Sequence, residues 1–352
     1  MIQLSNTHLT LVSLAFFSFM ASLLVNYILL KFARTLGIRS RNPDEVRWSP
    51  NYKPALGGIS FFIILLFSFV VYFIIHPGYQ DNRWIILGFL LAVSLAFLMG
   101  LADDAFNTQP LLKFITQMLC SLILLYSGFY IRLFDNPLIN YAFTILWITG
   151  MMNSFNLLDN MDGITGSISL VLTSFFTVLT ISLKLTDSYV TFFNLSVSGA
   201  VLGFLFFNFH PSKIYMGDSG SQFLGLFLAA FGIQFCWNNG QFNGDGYITY
   251  ENILLVWLAF LLPLTDTATV FINRIARGSS PFVGGKDHTT HHLFFRGVTE
   301  KRIALLYFMI TAVSCWISYM IIQTHSLIYV SAGYVFASIV SVSLYLNTVV
   351  KK

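Results

Sequence analysis

Five aspartates, two asparagines and a group of histidines have the types and spacing to do chemistry in this chain. Asp103 and Asp104 are adjacent. The stretch NSFNLLDNMDG, residues 153–163, sets Asn153, Asn156, Asp159 and Asp162 three residues apart. Asp218 lies in MGDSGS, and His288, His291 and His292 lie in a basic, Gly-rich loop. On a helix, three-residue spacing aligns side chains along one face, so two amides and two carboxylates are expected to converge there. Two carboxylates ~6 Å apart repel by ~3 kcal/mol at an effective dielectric of about 20. A cluster of them therefore calls for a divalent cation, and hard oxygen ligands favour Mg²⁺ or Mn²⁺ over zinc. Carboxylates around Mg²⁺ leave ligand positions for phosphate oxygens, and backbone N–H groups near Gly217–Gly220, at a helix start, suit an anion. Each feature alone has a plainer reading: interfacial solvation for Asp103-Asp104, a capped turn for Asp218, interhelical bonding for the amides, an exposed polar turn for the histidines. Together they point to metal-assisted phosphate chemistry at a membrane surface.

The elements that must position these groups are membrane helices. Of 352 residues 56 % are apolar and only 10 % charged, and the mean hydropathy is +0.73. A soluble surface needs roughly 25 % charged residues. The 37 Phe residues suit a lipid-facing surface. Runs of about 20 apolar residues cross a bilayer, and eleven are expected, near 9–31, 57–76, 84–101, 111–130, 138–154, 164–184, 189–208, 220–238, 252–273, 303–323 and 326–347. The class is therefore all-α: a polytopic integral membrane helical protein forming a single domain over 1–352, with one substantial loop at about 274–302. The first run is too long for the apolar stretch of a cleavable signal peptide, so it is expected to stay in place. With the N-terminus outside, sixteen of the 19 Lys and Arg residues fall on the inner side, leaving Arg83, Arg132 and Lys184 outside. That bias predicts a cytoplasmic C-terminus. It also puts Asp103, Asp104, Asp159, Asp162, Asp218 and the His loop on one face of the membrane. Cys120, Cys236 and Cys315 sit singly in apolar runs and indicate neither disulfides nor a thiolate metal site.

At this point the residues resemble the polyprenyl-phosphate N-acetylhexosamine-1-phosphate transferases. The Asp-Asp pair ending a span, the Asn-x-x-Asn-x-x-Asp-x-x-Asp-Gly loop, the Met-Gly-Asp-x-Gly-Ser turn and the His-rich loop all occur in that family's order. KPALGG at 53–58 extends the likeness. The resemblance implies transfer of a sugar 1-phosphate, most simply N-acetylglucosamine 1-phosphate, from a UDP-sugar to undecaprenyl phosphate, with release of UMP. Its partners would be a UDP-N-acetylhexosamine, undecaprenyl phosphate and the lipid bilayer. It implies no nucleic acid, allows a homodimer, and places the enzyme in the inner membrane with its active site on the cytoplasmic face. The stretch Asp266 to Phe282, with Arg274, Arg277 and SSPF, is similar to the branch that starts O-antigen, enterobacterial common antigen or teichoic acid assembly. The lipid I transferase is the alternative branch.

By resemblance Asp103 is the candidate base, Asp104 supports it or the metal, and Asp218 is the leading Mg²⁺ ligand with Asn156 beside it. Asp159 and Asp162 would hold the metal–nucleotide end, with Asp162 reaching the uracil, Tyr215 stacking on it and Asn208 adjacent. Lys113, His291 and His292 would bind phosphate or the sugar end, with His288 and Arg277 also on the substrate side. Two positions depart from the family pattern: two threonines separate His288 from His291-His292, where relatives show His-x-His-His, and Asn160 stands where Gly is usual. Outside the transferases, a proton-coupled transporter would use an intramembrane carboxylate such as Asp266. That reading requires polar groups through the depth of the bilayer rather than at one face.

Overall fold

The computed structural model of the chain describes residues 6–33, 53–77, 83–239, 250–280 and 285–349. Arg34, Arg39, Arg41, Arg47, Lys351, Lys352 and the Pro281-Phe282 end of SSPF lie outside the described residues. Helices occur at all eleven expected places: α1 (Asn6–Phe32), α2 (Gly58–Ile75), α3 (Arg83–Phe106), α4 (Pro110–Tyr126), α5 (Pro137–Leu158), α6 (Ile164–Ser182), α7 (Tyr189–Asn208), α8 (Gly217–Gly232), α9 and α10 (Tyr250–Ala259 and Leu261–Ala276), α12 (Glu300–Thr324) and α13 (Leu327–Val349). A short α11 (Thr289–Phe295) lies in the loop before α12. Many of these helices are rich in aromatic and β-branched residues, which are poor helix formers in water. In hydrocarbon a helix satisfies every backbone group internally, and that requirement overrides propensity.

Among the described residues, eight helices can cross a membrane by length and composition, and the α9–α10 pair makes nine if it is one span. The fourth expected span stops short because Gly128 (φ +94°) follows α4. Gly128 N–H and Phe129 N–H turn back onto Leu125 and Leu124 carbonyls at 3.0 and 2.9 Å, closing a Schellman cap after 17 residues. The ninth expected span, read as one straight run, is instead bent by 82° between α9 and α10. Pro263 has no N–H for the Ala259 carbonyl and crowds it, so the helix breaks at Phe260 and restarts.

The centre of the bundle is α8. The α8 span is 94 % buried, against 22 % for α1 and for α13 at the periphery. It packs against α2, α3, α5 and α6. Gly100 lets α3 cross it closely, since a Cβ there would lie 2.3 Å from the Asp218 carbonyl oxygen. Phe is not confined to the lipid side. Ten of the twelve largest fully buried side chains are Phe, among them Phe61, Phe89, Phe223 and Phe227. Phe89 packs on the rings of Phe129, Phe193, Phe227 and Phe231 at 5.4–6.1 Å. Aromatic rings of α8 itself and of the helices around it interlock to fill this volume.

Candidate active site

Up-and-down chain direction brings four helix ends together: the C-terminal ends of α3 and α5 and the N-terminal ends of α4 and α8. Asp103 comes from α3, Lys113 from the first turn of α4, Asn156 from the last turn of α5 and Asp218 from the first turn of α8. Lys113 Nζ bonds Asp218 Oδ2 and donates to Asn156 Oδ1 at 3.2 Å, with Asp103 Oδ2 at 3.5 Å. Asn156 Nδ2 donates to Asp218 Oδ1 at 2.9 Å and Ser221 Oγ at 3.0 Å. Asp103 Oδ1 accepts from both the N–H and the hydroxyl of Thr108, which orients the carboxylate. An ammonium held by three oxygens occupies the place a hard cation would take, so this donor set fits Mg²⁺.

Asp104 is turned differently. Its two oxygens accept the first N–H groups of α8, from Asp218 at 2.8 Å and Ser219 at 2.9 Å. It therefore caps the helix that carries Asp218 and complements its dipole. Gly217 (φ +76°) makes the turn that allows this, and a Cβ there would lie 2.6 Å from Asp104 Oδ2. The segment before α2 locks onto the same turn. Tyr215 N–H donates to the Pro54 carbonyl (2.8 Å), and Gly57 and Gly58 N–H donate to the Tyr215 and Met216 carbonyls (3.0 and 2.9 Å).

The expected single face from Asn153 to Asp162 does not hold, because α5 ends at Leu158 and Gly163 (φ +74°) starts α6. Asn153 faces inward, donating to Gln117 Oε1 at 2.8 Å; Gln117 in turn donates to Gln222 Oε1 at 3.0 Å. This amide chain is interhelical bonding beneath the site. Asp159, just past the helix, has its carboxyl pushed up to about 7 by burial and then by the charge of Asp218. Such a group binds a proton far more readily than an ordinary carboxyl does, and a cation brought beside it would favour the ionised form.

Asp162 belongs to a second network. It accepts from Ser212 Oγ (2.7 Å), Ser212 N–H (2.9 Å) and Lys53 Nζ (3.4 Å), with His210 Nδ1 at 3.2 Å. Burial works to raise its pKa, but the Ser212 bonds and the Lys53 charge outweigh that and hold it below the usual carboxylate value. Lys53 Nζ also stands 5.0 Å over the Tyr215 ring. Asn208 is buried and uses its amide structurally, accepting from Gly163 N–H at 3.0 Å and donating to the Ile214 carbonyl at 2.9 Å. Asp162, His210 and Glu300 have ligand atoms within 4.8 Å of one another. The Lys53 ammonium already sits on an Asp162 oxygen and offsets part of the group's charge.

The His loop forms a third, sealed network. His288 Nδ1 lies 2.8 Å from Asp266 Oδ2, and Arg274 makes a two-pronged pair with Asp287 at 2.7 and 2.8 Å. Burial opposes the Asp287 charge, but the Arg274 pair outweighs it and lowers its pKa. Burial, then the neighbouring His288, push the His291 imidazole down to about 4. Burial and then Arg277 lower His292, which is half-buried, while Arg277 is exposed at the end of α10. Thr290 Oγ1 donates to Asn160 Oδ1 at 2.7 Å, so the two positions that depart from the family pattern touch. Lys53, His210, Ser212 and Glu300 were not singled out as site residues from sequence. Lys53 stood in KPALGG and His210-Pro211-Ser212 preceded the Asp218 motif, but only the fold brings them to Asp162.

Fold and site together define a multi-pass membrane protein with a cation-ready oxygen cage at one end of its helix bundle. Residues 86–236 match the model of glycosyl transferase family 4, and the chain is similar to proteins named as undecaprenyl-phosphate N-acetylglucosaminyl 1-phosphate transferases. It is 26 % identical over 306 residues to a protein of Bacillus subtilis (strain 168) named probable undecaprenyl-phosphate N-acetylglucosaminyl 1-phosphate transferase, covering 83 % of this chain and 81 % of the relative. It is 28 % identical to the undecaprenyl-phosphate alpha-N-acetylglucosaminyl 1-phosphate transferase of Thermotoga maritima (81 % and 82 % covered). A phospho-N-acetylmuramoyl-pentapeptide-transferase of Carboxydothermus hydrogenoformans is also 28 % identical (75 % and 83 % covered).

Proposed function

We propose that this protein transfers N-acetylglucosamine 1-phosphate from its UDP-sugar to undecaprenyl phosphate at the cytoplasmic face of the cell membrane. A lipid-phosphate oxygen forms a new bond to the sugar-bearing phosphorus, and the bond from that phosphorus to the bridging oxygen breaks, so UMP leaves with that oxygen. The observation that carries this reading is the oxygen cage of Asp103, Asn156 and Asp218 closed by Lys113, built on four helix ends at one end of the bundle. Asp103, steadied by Thr108, takes any remaining proton from the acceptor phosphate. Lys113 moves from the carboxylates to the incoming phosphates, where its charge screens their approach. Asp218 and Asn156 would hold Mg²⁺, which supplies the remaining charge neutralisation when bound. Asp104 aims Asp218, and Asp159 closes the cage from the α5–α6 turn. The Tyr215 ring, with Lys53 and Asp162 beside it, offers a stacking face and polar partners to the uracil. His291 and His292 lie toward the sugar. The sixteen-to-three distribution of Lys and Arg supports eleven crossings with the N-terminus outside.

Membranes carrying the protein, supplied with undecaprenyl phosphate and a panel of UDP-sugars, should release UMP with an N-acetylated hexosamine donor and Mg²⁺. Turnover confined to UDP-N-acetylmuramoyl-pentapeptide would assign the chain to the other branch, whose named members are equally similar. Impermeant thiol labelling of intact cells at a cysteine introduced within 285–287 should fail. Labelling there would overturn the orientation and with it the use of cytoplasmic donors.

A further inference from the structure

Asp266 has no part in the transfer as set out above, yet it is 1 % exposed within the second half of the bent span. A carboxylate at such depth costs ~2.5–3.5 kcal/mol on insertion scales, so its partners need a reason. Its Oδ2 takes His288 Nδ1 at 2.8 Å, and its Oδ1 takes the Thr289 N–H at 2.8 Å and the Thr289 hydroxyl. The Tyr307 hydroxyl of α12 lies 2.7 Å from the same Thr289 oxygen, so if Thr289 donates to Asp266, Tyr307 donates to Thr289. All these groups are buried, which holds their geometry. The next residue, Thr290, bonds Asn160 between Asp159 and Asp162, and His291 follows with its ring perpendicular to that of His288 at 5.2 Å. An unbroken line of bonds thus runs from the second half of the ninth span to the turn that carries two of the site's carboxylates.

We propose that Asp266 is a positioning residue for the transfer: by fixing His288 and Thr289 it sets the start of α11, so that Thr290 meets Asn160 and His291 stands beside the carboxylate turn. His288 is then an anchor rather than a substrate ligand. The proposal rests on the transferase reading above, and its tests separate the two. In the full-length protein in detergent, diethyl pyrocarbonate should modify His288 slowly relative to the exposed His325, and at least about tenfold faster after Asp266→Ala. An unchanged His288 rate in that variant would mean the pair does not hold the ring.

In the assay, Asp266→Asn should lower kcat by about 10- to 100-fold, the usual range for a partner that orients a functional group. The gentler Tyr307→Phe should lower it a few-fold. UMP affinity should stay unchanged in both, because Asp162 is held independently by Ser212 and Lys53, which this line of bonds does not reach. Adding His288→Asn to Asp266→Asn should cost no more than either alone, since the two act as a unit. Wild-type kcat in Asp266→Asn, or a parallel loss of UMP affinity in either variant, would overturn the proposal while leaving the transferase reading intact. A wild-type chain inactive with every UDP-sugar would sink the transferase reading and this proposal with it.

Discussion

The oxygen cage and the His-loop anchor are made of the same materials, aspartates facing basic side chains, and are built for opposite ends. In the cage, side-chain exposures are 16–26 % for Asp103, Lys113 and Asp218, and the counter-charge sits on a flexible lysine stem. In the anchor they are 1–12 % for Asp266, His288, Arg274 and Asp287, and the counter-charges are planar groups on short or two-pronged contacts. A point charge on a long stem can be drawn aside by an incoming phosphate or metal, whereas a two-pronged guanidinium cannot move without stranding a buried carboxylate. Exposure and the mobility of the counter-charge, rather than residue type, separate a reaction site from a brace in this chain.

The largest effects should fall in the cage. Asp103→Asn is expected to lose ~10²–10⁴-fold in turnover, the range for a general base, with its Mg²⁺ dependence little altered. Raising the pH should restore part of that loss, because more of the acceptor phosphate is then fully ionised. Asp218→Asn should instead weaken metal use and recover partly at high Mg²⁺. If the two variants show the same metal-rescuable defect, Asp103 is a further metal ligand and the division of labour within the cage is wrong. Neither change should shift the unfolding midpoint in detergent by more than a few degrees, since both groups reach solvent.

The anchor should respond the other way round. Arg274→Met leaves the Asp287 carboxylate buried without its two-pronged partner, a change that costs about 3–5 kcal/mol of stability. The expected readout is a large fall in the unfolding midpoint in detergent, with residual Mg²⁺ dependence like that of the parent. A variant as stable as the parent but with altered Mg²⁺ dependence would make Arg274 part of the site and erase the contrast between the two regions.

The cage was legible from sequence because its members are polar residues at the ends of apolar runs whose expected order puts them together on one side, although each alone has a plainer reading. The spacing argument reached Asn156 and Asp159 but failed at Asp162, since Gly163 turns the chain after Leu158 and the helical period stops applying. The pairs Asp266–His288 and Lys53–Asp162 join residues 22 and 109 positions apart, and no local pattern encodes such contacts. Pro263 was visible, but a proline near a helix start and one that breaks a span look alike until the neighbouring helices are in place. The burial of Phe around α8 was missed for the same reason: hydropathy does not distinguish lipid from protein as the apolar partner.

Acid should destabilise the chain through the His loop. His291 titrates near 4 in the folded chain, where burial and His288 oppose its charge, against 6.5 for an ordinary imidazole. Between those values the unfolded chain binds a proton that the folded chain refuses. Stability is therefore intact above pH ~6.5 and falls as pH drops toward 4, by about 2 kcal/mol at pH 5. His291→Gln cannot titrate, so its unfolding midpoint should fall less steeply between pH 7 and pH 5. Equal slopes for the two proteins would mean that the imidazole is not sealed as described.

The smallest effect separates the nucleotide side from both regions. The Tyr215 ring carries Lys53 Nζ at 5.0 Å on one face, and a cation over an aromatic face at such a site is worth about 0.5–1 kcal/mol. Tyr215→Leu keeps an apolar side chain but removes the π face, so UMP should bind about fivefold more weakly, the equivalent of about 1 kcal/mol. Tyr215→Phe keeps the ring and should match the parent. Turnover at saturating donor should be unchanged in both, because the base and metal groups lie in the cage. A fall in kcat with UMP affinity intact would instead tie the ring to the cage, through the bonds that join Tyr215 and Met216 to the segment before α2. The nucleotide side would then be no third region but an extension of the first.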